Sequence, residues 1–255
     1  QAQGLGYAEA DPTFDIEGVD AAHKLSIMSA IAFGNSMSFD QAYIEGISSL
    51  DAADIRYAEQ LGYRIKLLGI TKRTAEGVEL RVHPTLIPAR RLIANVEGAM
   101  NAVLVKGDAV GATLYYGKGA GAEPTASAVI ADLVDVTRMH TADPEHRVPH
   151  LAFQPGAMVD LAILPMADVV TSYYLRLRVD DRPGVLADVT RILADDGISI
   201  VAMIQREPGE GEEQTDIIML THKTRERNID AAIAGIEALP AVRGRIIRLR
   251  LEELL

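Results

Sequence analysis

The sequence predicts an α+β protein in two parts, a mixed sheet with helices followed by a βαββαβ module, and three observations predict it. Helix-period segments closed by glycine occupy about 19–33 and 51–61. Strand-like segments come in pairs around turn residues between 64 and 116. Roughly the last 80 residues run strand, helix, strand, strand, helix, strand. A chain of 255 residues, 48% of them hydrophobic, can bury one large core or two smaller ones. The pattern favours two, over 1–153 and 172–255, with 154–171 as the connection.

The first helix follows a Gly/Asp/Pro-rich stretch, Gly4 to Gly18, and its expected apolar stripe is Leu25, Ile27, Met28, Ile31 and Ala32, with Gly34 as the stop. The second places Ile55, Ala58 and Leu61 on one side and ends at Gly62. Arg64 to Thr71 and Val78 to Val82 flank Thr74-Ala75-Glu76-Gly77, and Met100 to Lys106 and Ala109 to Tyr116 flank Gly107-Asp108, which is hairpin chemistry. These four strands are expected to share one sheet. A helix from about Pro124 to Met139 comes next, with proline in its first turn, where a missing N–H costs nothing. Between His140 and Thr171 four prolines interrupt any period, leaving a return strand near Leu151 to Phe153.

In the second part Tyr173, Leu175, Leu177 and Val179 alternate with Tyr174, Arg176 and Arg178, a strand with one apolar face. Asp180 to Gly184 turns into a helix with Val185, Leu186, Val189, Ile192 and Leu193 at core spacing. Strands at Ile198 to Ile204 and Asp216 to Leu220 bracket an acidic loop from Glu207 to Gln214. A helix capped at Thr224 or Asn228 points Ile229, Ile233 and Ile236 inward. The final strand alternates Ile247, Leu249 and Leu251 with Arg248 and Arg250, its arginines reading as a wet side. That order is the ferredoxin-like module.

A net charge of -11 disfavours phosphate backbones and anionic lipid, so nucleic acid and membrane are not expected partners. Zero cysteines exclude disulfides, thiolate-bound zinc and a cysteine nucleophile, which suits a cytoplasmic protein. No apolar run approaches the roughly 20 residues of a membrane span. The opening Gln1-Ala2-Gln3-Gly4 has neither initiator Met nor secretory features and reads as a cut through a larger protein.

Chemistry concentrates near the start. Glu9, Asp11 and Asp15 lie in a loop that can bend toward the first helix, where Asp20 and Lys24 emerge on one face a turn apart. Acids around one lysine suit a small zwitterion: carboxylates hold an ammonium, and the lysine hydrogen-bonds an alcohol or carbonyl oxygen. Spacing alone reads more simply as an exposed ion pair at a helix N-terminus.

The full run Gly6-Tyr7-Ala8-Glu9-Ala10-Asp11-Pro12-Thr13-Phe14-Asp15-Ile16-Glu17-Gly18-Val19-Asp20-Ala21-Ala22-His23-Lys24 resembles the homoserine dehydrogenase signature, G-Y-x-E-x-D-P-x-x-D-[aliphatic]-x-G-x-D-x-x-x-K, at every defining position. The resemblance extends through 64–69, 82–87 and 95–98, nearly the whole of the first 153 residues. It implies an NAD(P)-dependent oxidoreductase that interconverts L-homoserine and L-aspartate 4-semialdehyde in threonine, methionine and isoleucine biosynthesis. By that resemblance Glu9 and Asp20 bind the amino acid, Lys24 assists proton transfer, and Tyr7 and Asp15 line the same pocket. A non-catalytic amino-acid-sensing or dimerisation module is the alternative, against which stands the expectation that a scaffold has no use for a buried lysine among carboxylates.

Gly117-Lys118-Gly119-Ala120-Gly121 offers backbone amides as a phosphate loop does, but no Lys-Ser/Thr pair follows, and a tight packing turn explains it as well. The family resemblance implies that Gly119, Gly121 and Thr125 border the nicotinamide end of the cofactor. It also implies a Rossmann domain, which nothing before Gln1 supplies; NAD(P) is then expected to be bound mainly outside these residues, and the fragment alone to be inactive.

Tyr174 to Leu186 resembles the ACT domain, whose D-x-P-G-V-L turn leaves helix N–H groups open beside Gly184. Asp180, Gly184, Val185, Ile198 and Ile200 are the candidate effector contacts, with threonine the effector the resemblance implies. A dimerisation platform without ligand is the other reading, and a homodimer or higher homo-oligomer is expected. His140, His146 and His150 match no common zinc spacing, and no metal is expected.

Overall fold

The computed structural model describes residues 11–140, 149, 152–206 and 211–254. Tyr7, Glu9, His146, His150, Leu151 and residues 207–210 of the acidic loop lie outside them. The described chain runs α1 (Thr13–Ile16), α2 (Val19–Phe33), β1 (Tyr43–Ile44), α3 (Ala52–Gln60), β2 (Tyr63–Arg73), β3 (Val78–Pro88), β4 (Met100–Gly107), β5 (Gly111–Lys118) and α4 (Ala122–His140). It continues through β6 (Val170–Asp180), α5 (Val185–Asp195), β7 (Ile200–Gln205), β8 (Gln214–Thr221), β9 (Thr224–Arg225), α6 (Glu226–Glu237) and β10 (Val242–Leu251). Fold class and the βαββαβ order agree with the sequence reading, β9 being a two-residue addition that pairs with the start of β6.

One mixed sheet runs through both parts in the order β1-β3-β10-β6-β8-β7, with β2 on the other edge of β3. β2 and β3 are antiparallel over their whole length, Tyr63 opposite Pro88 to Arg73 opposite Val78. Along the far edge of β3 two short parallel pairings follow end to end. β1 lies beside Arg81 and Val82, and the end of β10 lies beside Thr85 and Leu86. β10 is therefore interior, held antiparallel by β6 on its other side. Helices α5 and α6 bury Val185, Val189, Leu193, Ile229 and Ile236 against Leu175, Leu177 and Ile217, worth about 1.5–3 kcal/mol per large aliphatic side chain. α3 covers the opposite face, and α2 lies on β2 and β3.

Several expectations are corrected. The stripe that α2 buries is Ala22, Leu25, Ser26, Ser29 and Ala30, while Ile27, Met28 and Ile31 stay exposed. Small residues win because the helix lies close on the sheet: a Cβ on Gly69 would meet Leu25 at 3.5 Å, and Thr71 donates a hydrogen bond to Ser29. In α3, Asp54, Tyr57 and Ala58 are buried and Ile55 is exposed, since Asp54 answers Arg176 and Tyr174 on the sheet. The β4–β5 hairpin forms a sheet of its own.

β6 has two buried faces, because α3 covers the side on which Tyr174 sits. Neither Thr224 nor Asn228 caps α6; Arg225 occupies that position without a side-chain cap, and Asn228 lies within the helix. The arginines of β10 form a wet side only at its start, where Arg243 and Arg245 are exposed; Arg250 is 1% exposed, its charge met by carboxylates on neighbouring elements. Residues 152 and 153 are not in a strand; the return to the first part is made instead by single bridges, Val159 to Asn35 and Ile163 to Val78.

Candidate functional site: the turn into α2 and the pocket at the head of α5

Asp11 accepts from both the amide and the hydroxyl of Thr13, which lowers its carboxyl below the ordinary value. The chain then makes the single turn of α1 and reverses at Gly18, where φ is 81° and a Cβ would lie 2.9 Å from Val82 Cγ1. Only glycine satisfies both the left-handed backbone and the contact. The loop after β1 grips the same turn. Ile47 N–H donates to Ile16 O at 2.9 Å, and the Ser48 hydroxyl donates to the Glu17 carboxylate. Gly46 passes so close that a Cβ would sit 2.7 Å from Glu17 Cα.

From this fixed start α2 projects Asp20 and Lys24, Nζ to Oδ2 2.5 Å. The expected burial of the lysine is corrected: its side chain is 67% exposed and that of Asp20 36%. The reason is helical geometry, for Ala22 and Leu25 occupy the face turned to the sheet. Asp15 is exposed on α1 and offers its carbonyl to Gly18 N–H. His23 stacks on Phe39, ring centroids 3.9 Å apart, and bolsters the same face of α2.

Gly119, Gly121 and Thr125 share the turn from β5 into α4, with Thr125 N–H donating to Gly121 O. Gly119 is explained by packing, because a Cβ there would collide with the Asn101 side chain. Gly121, at φ 121°, turns the chain into α4, whose first turn is largely exposed and leaves backbone amides without intrahelical partners.

Asp180, Gly184 and Val185 line one open pocket of about 420 Å³, together with Arg182, Pro183 and Gln205. Gly184, at φ 96° with nothing within 4 Å of its would-be Cβ, lets the chain turn into α5 and leaves room beside the helix head. Ile198 and Ile200 are not on that wall; they pack in the core cluster. Asp180 is gripped by both arms of Arg243 on β10, at 2.8 and 2.6 Å, which lowers its carboxyl.

What sequence reasoning missed is a buried ionic seam between the two parts. Glu79, Arg81, His83 and Thr85 follow every second position of β3, and all are buried. Arg81 bonds Glu79 at 2.9 Å, His83 Nε2 at 2.7 Å and Glu252 at 2.5 Å. Arg250 bonds Glu226, Glu45 at 2.7 Å and the Tyr43 hydroxyl at 3.0 Å. Burial alone would raise the carboxyls of Glu226 and Glu252, but Arg250 holds the first below its ordinary value, and Arg81 with Lys72 the second. Burial, with Arg250 and Arg81 alongside, drives the His83 imidazole well below its usual value. The period-two polar stripe was the available signal; it looks the same whether water or another strand's charges face it.

Comparison with known proteins fits this geometry. The homoserine dehydrogenase family model matches residues 1–134, and the ACT domain model residues 173–241. A homoserine dehydrogenase of Pseudomonas aeruginosa is 60% identical over 254 residues, and one of Neisseria gonorrhoeae 58% over 255; each alignment takes in all of this chain and 58% of the relative. A crystal structure of a homoserine dehydrogenase from Thiobacillus denitrificans superimposes with TM-score 0.92 at 72% identity, over 99% of this chain and 57% of that one. The chain thus spans a little under three fifths of its curated relatives. With the signature run filled and the turn it forms built as described, the chain belongs to the homoserine dehydrogenase family and carries an ACT domain.

Proposed function

We propose that this chain supplies the substrate pocket and the control module of an enzyme that interconverts L-homoserine and L-aspartate 4-semialdehyde. The carrying observation is the Asp20–Lys24 pair, held at the head of α2 by a turn with no freedom at Gly18. Glu9 and Asp20 receive the substrate ammonium, with Tyr7 and Asp15 lining the same pocket. Lys24 Nζ hydrogen-bonds the C4 oxygen and takes part in moving the hydroxyl proton. When bound, NAD(P) supplies the acceptor for the hydride that leaves C4. Gly119, Gly121 and Thr125 border its nicotinamide end, and the rest of it is held outside these 255 residues. The 255 residues alone are then inactive, and homoserine oxidation by the isolated chain with NAD or NADP would contradict this.

The ion pair is exposed and contributes at most about 1 kcal/mol to the fold, so Lys24→Ala tests chemistry without testing folding. In the dehydrogenase completed with its nucleotide-binding part, kcat is expected to fall at least about 100-fold, the scale of a lost general acid–base group, while circular dichroism stays unchanged. Wild-type kcat in that variant removes the lysine from the reaction. At the ACT module threonine is the proposed effector, its carboxylate received beside Gly184; calorimetry without heat, together with unaltered kinetics, would leave only a dimerisation role. A homodimer or higher homo-oligomer in the cytoplasm completes the reading. Val103, Val105, Tyr115, Tyr116, Ile130 and Leu133 of the hairpin and α4 are exposed, more apolar surface than scattered single residues explain.

A further inference from the structure

The seam and the signature turn are joined through one carboxylate. Glu45 directly follows β1, its N–H donates to Val82 O at 2.8 Å, and its Oε2 accepts from Arg250 and from the Tyr43 hydroxyl, each at 2.7 Å. The next three residues grip the turn: Gly46 against Glu17, Ile47 N–H on Ile16 O, Ser48 on the Glu17 carboxylate. Two residues past Glu17 the helix carrying Asp20 and Lys24 begins. In the other direction β10 runs from Arg250 back to Arg243, which holds Asp180 at the rim of the pocket at the head of α5.

The β1 and β10 pairings on β3 leave His83 and Pro84 between them, so the strands meet end to end and the Arg250 side chain spans the junction. A shift of β10 along β3 of even part of a residue repeat, about 3.3 Å, displaces the partner of Glu45.

We propose that Glu45 is a positioning residue that ties the Asp20–Lys24 turn to β10, so that the position of the last strand of the ACT module sets the geometry of the pair. Its bearing on turnover rests on the dehydrogenase reading above; the tie itself does not. Contiguity becomes coupling only when a perturbation at one end is felt at the other.

Hydrogen exchange on the 255-residue chain decides it. Glu45→Ala leaves Arg250 bonded to Glu226, so the fold persists, and amides 16–24 and Ile47 are expected to exchange about tenfold faster, within the usual range of intersite couplings, while β8 keeps its wild-type rates. Glu45→Gln, which retains one acceptor for Arg250 or Tyr43, restores most of the protection. Arg250→Lys, which keeps the charge and loses the planar fork, reproduces the local pattern at smaller size. Unchanged exchange in 16–24 in Glu45→Ala overturns the proposal, and so does a uniform loss of protection across the chain, which marks general stability alone.

In the completed dehydrogenase, Glu45→Ala is expected to lower kcat/KM for homoserine about tenfold, with recovery in Glu45→Gln. A wild-type enzyme that fails to oxidise homoserine would end the dehydrogenase reading and leave the exchange result standing.

Discussion

His83 shows how much a single residue can report. Arg81 donates to its Nε2, which places the proton on Nδ1, where the Pro84 carbonyl and the Thr85 hydroxyl accept it. Folded His83 is neutral, whereas in the unfolded chain it gains a proton below its ordinary value near 6.5. The unfolded state then binds more protons, so stability falls as the pH drops below 6.5, by up to about 1.4 kcal/mol per pH unit for this one group. Urea midpoints between pH 7 and pH 5 measure the slope, and His83→Gln is expected to remove it. Gly18→Ala tests another single position: a left-handed backbone and the Val82 contact together are expected to cost about 1–3 kcal/mol, read from the same urea curves.

At the scale of elements, α3 matters more than its nine residues suggest. Asp54, with no exposure, accepts from Arg176 at 2.6 and 3.0 Å and from the Tyr174 hydroxyl at 2.9 Å, fastening the helix to β6. Asp54→Ala leaves Arg176 beneath the helix with only the longer contact to Asp51, 3.8 Å away, and is expected to destabilise the chain by about 3 kcal/mol; Asp54→Asn, able to accept but uncharged, is expected to lose less in thermal melts. The order of helices and strands was legible because period and punctuation are local properties: Gly34, Gly62 and Gly197 stop helices at φ 70°, 82° and 72°. The buried face was legible in α5 and α6, whose Val185, Val189, Leu193, Ile229 and Ile236 lie in the core as read, but not in α2 and α3. Ile27 and Ile55 look like core, yet their helices turn Ser29 and Asp54 inward, since partners for those polar groups, Thr71 and Arg176, come from distant strands. Asp20 and Lys24 were legible from the signature run, whereas Glu45 and Arg250 owe their meeting to sheet order alone.

For the molecule as a whole, a sheet continuous from β2 to β7 makes two sequence units one cooperative body. Calorimetry of the chain is expected to show one transition whose van't Hoff and calorimetric enthalpies agree, and two resolved transitions would show that β10 does not bind the halves together. The interior place of β10 also has a consequence for biosynthesis. It leaves the ribosome after every strand it joins, so a nascent chain halted before residue 242 holds β3 and β6 with bare hydrogen-bonding edges, the templates on which chains stick to one another. Completion of the joined sheet thus waits on β10, and chaperone shelter during translation has most to protect in that interval.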